Sequence, residues 1–169
     1  METWDALRAR RNVRTFTDQP ISKEDLDRIT EAGWRAPSAS NTQPWDFIVC
    51  TGSELLTELA TLWQGAGHVA GAAACIVLVA PINEERSAII EYDLGQATLQ
   101  IMVAAADLGI GTAHASIGDK DRAREILGFP NDKYAAYFIS LGYPADRPLK
   151  PIMNPKRRPI DEVVHYNHW

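Results

Sequence analysis

A single domain of mixed helices and strands is what this sequence predicts, and three observations point to it. Its 169 residues suit one hydrophobic core. Four apolar runs, at 45–50, 73–80, 112–117 and 134–141, have the length and flanks of strands. Between them lie segments of helical spacing opened by capping residues, Ser22, Ser53 and Asp119. A hydrophobic share of 46% and a charged share of 23% are those of an ordinary globule.

Taken in order, Trp4 to Arg10 predicts a short helix and Val13 to Phe16 an extended segment, closed by Gln19-Pro20. Ser22 caps a helix through Ala32, with Leu26 and Ile29 on one face. Residues 36–44 have no apolar periodicity and predict a loop before the first strand. Ser53 caps a helix to about Trp63, followed by a glycine-rich break. The run 73–80, ended by Pro81, is a buried strand. Tyr92 to Leu108 is the longest helical candidate and is apolar nearly all round. Such a helix needs cover on every side, so it belongs at the core and partly in a subunit interface. Gly109 and Gly111 end it before the strand 112–117. Asp119 caps a helix through Leu127, Gly128 and Pro130 break it, and Tyr134 to Leu141 extends. From Gly142 onward five prolines forbid a continuous helix, yet Ile160, Val163, Val164, Tyr166 and Trp169 make the tail apolar, as a segment lying on another surface would be.

The cations are unevenly spread. Eight of the 17 Lys and Arg residues fall in two clusters, Arg8, Arg10, Arg11 and Arg14 at one end and Lys150, Lys156, Arg157 and Arg158 at the other, against a net charge of -5. Folding would have to join them, and a phosphate is the natural ligand, because Arg forks and Lys point charges match its oxygens. The acidic balance argues against nucleic acid as a partner. No run reaches the roughly 18 apolar residues of a membrane helix, and the acidic N-terminus shows no secretory signal. Cys50 and Cys75 sit in apolar runs and read as buried free thiols of a cytoplasmic protein.

In extended geometry Arg10, Asn12 and Arg14 share a face. The loop 37–44 combines small residues, which permit close approach to a flat ligand, with the amides of Asn41 and Gln43. Gly65-Ala66-Gly67 lacks the strand-to-helix setting of a dinucleotide turn. His165 and His168 read as tail residues rather than metal ligands, and His114 as a structural histidine with a ligand role open.

Three stretches together resemble the flavin-dependent nitroreductase family, as a compact member. They are Arg10-Arg11-Asn12-Val13-Arg14-Thr15-Phe16, then Ala36-Pro37-Ser38-Ala39-Ser40-Asn41-Thr42-Gln43-Pro44-Trp45, and the ending Leu141-Gly142-Tyr143-Pro144 with Pro155-Lys156-Arg157-Arg158-Pro159 and Glu162-Val163-Val164. Order and spacing fit over nearly the whole chain.

The resemblance implies an α+β fold, a central sheet flanked by helices. It also implies an interlocked homodimer whose C-terminal tails wrap the partner, with FMN at two interface sites. Carried over by position, Arg10, Lys156 and Arg158 would bind the phosphate and ribityl chain, Arg11 and Asn12 the ring and ribityl groups, and Arg14 would face N1 and O2. Pro37, Ser38, Ala39 and Asn41 would come from the partner. His114, Ala115 and Ser116 would lie along the other side, the Ser116 backbone N–H aimed at N5. The chemistry would be the flavin's, with no acid or base side chain required. NAD(P)H would reduce the flavin and leave, and a small-molecule electron acceptor such as a nitroaromatic or quinone would follow. Alternatives within reach are a flavin or deazaflavin binding protein without turnover, and relatives that dehalogenate or desaturate rings. Asn12 stands where the family usually has Ser, and the short connection between the 73–80 strand and the long helix lacks the inserted helices of many relatives.

Overall fold

The computed structural model describes residues 1–169. The chain runs α1 (Thr3–Ala9), α2 (Lys23–Trp34), β1 (Asp46–Cys50), α3 (Ser53–Ala60), β2 (Ala74–Pro81), α4 (Ser87–Asp107), β3 (Gly111–Ser116), α5 (Lys120–Leu127) and β4 (Lys133–Gly142). The strands make one antiparallel sheet in the order β1-β2-β4-β3. This is an α+β fold.

Strand periodicity decides where the core lies. In β2, Ala74, Ile76, Leu78 and Ala80 pack into one apolar layer with Leu26 and Ile29 of α2 and Leu94, Ala97 and Ile101 of α4. Cys75, Val77 and Val79 face the opposite layer, with Leu56 and Leu59 of α3 and Ala123 of α5. A strand buried on both faces reads as a continuous apolar run, which is why 73–80 shows no alternation. Both thiols are free, and burial pushes Cys50 up to about 11 and Cys75 further.

The β2–β4 register slips between Leu78 and Val79, where Leu78 faces Tyr137 and Val79 faces Ala135. This bulge leaves Ala136 as the extra residue. It reverses the side-chain alternation, since in a regular strand Tyr134 and Tyr137 would point to opposite faces. Here both pack toward the α2–α4 layer and both phenols reach Glu91 of α4.

Three boundaries differ from the sequence expectation. α4 begins at Ser87, five residues before Tyr92, because Asn83 Oδ1 accepts from Arg86 N and turns the chain into the helix without an apolar signal. Gly52, at φ 93, and not Ser53, holds the N-cap of α3. That helix stops at Ala60, where Thr61 Oγ1 donates to the Glu58 carbonyl. Elsewhere the expected caps form, with Ser22 accepting from Asp25 N and Asp119 from Arg122 N. No helix is long and apolar enough to cross a membrane.

Candidate functional site

Two glycines bring the first basic cluster to the sheet. Gly111 and Gly142 are register partners on β3 and β4. A Cβ on Gly111 would come within 2.7 Å of the Val13 side chain, and one on Gly142 within 2.7 Å of Phe16. With both positions bare, residues 12–17 lie along the sheet: Val13 N donates to Thr112 O at 2.9 Å and Thr17 N to Tyr143 O at 2.8 Å. Arg10 ends α1 just before this segment. Arg11 is drawn off to the side, donating at 2.8 Å to both Asp146 Oδ1 and the Arg147 carbonyl, and it holds the Asp146 carboxyl below its usual range.

The tail returns to meet it. Ile152 N donates to Arg8 O, tying the tail to the end of α1. A cavity of about 370 Å³ results, lined by Arg10, Arg11, Asn12, His114, Ile152, Pro155, Lys156 and Arg157. The two cationic clusters therefore do converge. Arg157 lines this cavity where the resemblance pointed to Arg158, whose guanidinium instead bonds Glu162 of the tail. A second cavity of about 390 Å³ shares Arg10 and His114 and continues along α4, past Glu91, Gly95, Thr98, Leu99 and Met102, to Tyr137.

β3 is the edge strand beneath, with His114 and Ser116 exposed and Ala115 half-buried. Glu91 accepts from Tyr134 Oη at 2.8 Å and from Tyr137 Oη at 2.5 Å. Giving up a proton beside that carboxylate is unfavourable, so Tyr137 is pushed up to about 12. Arg14 is exposed. Its charge reaches His68, in the glycine-rich turn 67–69, whose pKa is lowered first by burial and then by Arg14 and His114.

The loop 37–44 sits apart from this cluster within one chain. Ser40, Asn41 and Gln43 all take left-handed backbone, with φ of 52, 55 and 48. Non-glycine residues in that region are strained and concentrate where function demands a shape. The loop is held by Gln43 N on Ser38 Oγ at 2.9 Å and by Ala39 N on the buried Asp93 carboxylate of α4 at 3.2 Å. Pro37, Ser38, Ala39 and Asn41 line neither cavity named above. Sequence reasoning missed Glu91, Tyr137 and His68. The bulge is what sets Tyr134 beside Tyr137 on Glu91, and His68 lies in a break with no periodic signal.

The family model described as the Nitroreductase family matches residues 7–77. A protein of Archaeoglobus fulgidus that carries the provisional name NADH dehydrogenase/NAD(P)H nitroreductase is 32% identical over 166 residues, which are 95% of this chain and 94% of that one. The NADPH-flavin oxidoreductase of Vibrio harveyi is 30% identical over 185 residues, covering 99% of this chain and 74% of its own. A solved FMN-dependent nitroreductase of Clostridium difficile superposes with a TM-score of 0.83 at 26% identity, over 97% of this chain and 98% of that one. Shared architecture over full length, together with the first of these relatives, establishes that this chain belongs to the nitroreductase family.

Proposed function

We propose that this chain is an FMN-dependent oxidoreductase in which NAD(P)H and a small electrophile, a nitroaromatic or quinone, use one pocket in turn. The observation that carries this reading is the convergence of Arg10, Lys156 and Arg157, from opposite ends of the sequence, on one cavity with Asn12 and His114. The donor set fits FMN: three cations suit a phosphate dianion, and an amide suits a polyol chain. The adjoining cavity, walled by Gly95, Thr98, Leu99 and Met102, suits a flat ring.

When bound, the flavin supplies the hydride and electron chemistry. The protein's part is to hold and to polarise. Arg10, Lys156 and Arg157 hold the phosphate, while Arg11, fixed on Asp146, anchors the turn that presents them. Arg14, in the segment that follows Asn12, would supply a cation near the pyrimidine edge, where negative charge of the reduced flavin is favoured. On the edge strand, Ser116 would offer its backbone N–H to the ring, with His114 and Ala115 beside it. Pro37, Ser38, Ala39 and Asn41 complete the site from a partner subunit, which makes the working unit a homodimer. Supporting that assembly, Ile89, Tyr92 and Leu99 of α4 and Ile160, Val163, Val164 and Tyr166 of the tail are exposed in the single chain. Only five residues, 82–86, join β2 to α4, so the acceptor side stays open to larger electrophiles.

The test is an absorbance spectrum of gently purified protein before and after anaerobic NADH and NADPH. Flavin bands that bleach are expected. Absence of bands even after FMN is added would sink the proposal, and bands that neither nucleotide bleaches would leave a flavin-binding protein without turnover.

A further inference from the structure

Residues 37–44 hold a strained shape with little outside the loop to support it. Ser40, Asn41 and Gln43 take left-handed backbone, and no glycine lies between Gly33 and Gly52 to ease the turn. The loop's hydrogen bonds run within residues 38–45, from Asn41 N to Ser38 O, Thr42 N to Ala39 O, Gln43 N to Ser38 Oγ, Gln43 Nε2 to Asn41 O and Trp45 N to Gln43 O, with one exception. Ala39 N donates to both carboxylate oxygens of Asp93, at 3.2 Å each. Asp93 is only 1% exposed and joins no ion pair. Its other side-chain donor is Gln96 Nε2 of the same helix, at 3.3 Å. A buried carboxylate that faces only neutral amides costs stability, and the loop is its one partner outside α4. The helix also separates this tie from the cavity of its own chain. Glu91, Gly95, Thr98 and Met102 recur at spacings of four and three, so they form one stripe, and that stripe walls the cavity. At about 100° per residue, Asp93 is turned about 200° from Glu91, onto the opposite side of the helix. The loop is thus fastened to the side of α4 that faces away from its own chain's cavity.

We propose that Asp93 is a positioning residue that acts across the subunit interface: by gripping the Ala39 N–H it holds its own chain's loop in the shape that completes the partner's flavin site. This role rests on the proposed function, which assigns Pro37, Ser38, Ala39 and Asn41 to the partner's cofactor. One helix then serves two sites. It walls the first with Glu91, Gly95, Thr98 and Met102, and through Asp93 it shapes the loop delivered to the second.

Subunit complementation tests it. Asp93→Asn keeps the side chain's volume but replaces one of the two acceptor oxygens with a donor, so it breaks the grip while sparing the packing. Homodimers of Asp93→Asn should sediment as the unaltered protein does and lose FMN affinity by roughly tenfold, the size of one charge-assisted hydrogen bond. Arg10→Glu spoils the cavity of its own chain by reversing a charge at the phosphate. In a heterodimer of one Asp93→Asn chain and one Arg10→Glu chain, isolated through two different affinity tags, both defects should fall on the same site. The other site is then intact, and FMN titration should show one site per dimer of unaltered affinity. Two weakened sites would mean that Asp93 acts within its own chain and would overturn the proposal, as would full FMN affinity in the Asp93→Asn homodimer. Either result would leave the bleaching spectrum of the unaltered protein, and so the flavin function, standing. Normal FMN affinity in an Arg10→Glu homodimer would instead remove the phosphate site, and this role with it. Should Asp93→Asn not fold, Asp93→Leu, which buries no polar group, enters the same heterodimer with the same expected outcome.

Discussion

Arg10 borders both cavities and has no competing partner there, so its removal should be felt most directly in cofactor retention. Arg10→Ala should weaken FMN binding by roughly ten- to hundredfold, about 1.5–3 kcal/mol for one lost charge-assisted contact, as measured by equilibrium dialysis. Arg157→Ala should cost more affinity than Arg158→Ala, since only the former lines the cavity and the latter is engaged by Glu162. The reverse order would show that the tail seats differently against the ligand. Tyr137 offers a pH test. Its pKa is raised to about 12, first by the hydrogen bond to Glu91 and then by burial. A raised folded pKa means stability that is complete below the unfolded value of about 10 and is lost as pH climbs through the folded one. Tyr137 should therefore titrate late in an ultraviolet phenolate scan, and Glu91→Ala should bring the transition back toward 10. An unchanged late transition in that variant would assign the shift to burial alone.

At the scale of elements, the N-terminal segment depends on missing side chains. Gly111→Ala would push a methyl against Val13 Cβ and Cγ2 at 2.7 Å. Overpacking of that kind costs typically 1–3 kcal/mol, seen as a lowered Tm, and should also loosen FMN, because the same segment carries Asn12 and Arg14. Val13→Ala placed in the Gly111→Ala background should return part of the lost Tm; no recovery would mean that the glycine matters for another reason. Most elements were legible in the sequence because their signals are local: Ser22 and Asp119 cap as their spacing requires, and the run 73–80 could only be a strand covered on both faces. Boundaries set by single side-chain contacts were not. The start of α4 depends on Asn83, and the end of α3 on Thr61. Such contacts leave no trace in apolar periodicity.

For the molecule as a whole, the charge clusters announced a meeting point that only the fold could supply, and both reached it. The proposed homodimer is tested most directly at the tail. Tyr166 is 86% exposed and Ile160 76%, with Val163 and Val164 exposed between them, and grouped exposed apolar residues mark interaction surfaces. The chain should sediment at twice its own mass, and Ile160→Ser with Tyr166→Ser should shift it toward the monomer. FMN occupancy should fall in parallel, since Pro37, Ser38, Ala39 and Asn41 line neither of the two cavities at the basic cluster of their own chain. A monomer that keeps its full flavin content would exclude the shared site.

The extra residue in β4 has a consequence for how this protein can change. Ala136 acts as a phase shifter: with it in place, Tyr134 and Tyr137, three positions apart, share one layer. Its deletion would leave the two tyrosines two positions apart in a regular strand, still on that layer and still able to reach Glu91. Elsewhere in β4 a one-residue deletion has no bulge to absorb it and turns every side chain on one side of it to the wrong layer. Single-residue deletions among functional variants should therefore fall between Tyr134 and Tyr137 and be absent from the rest of the strand.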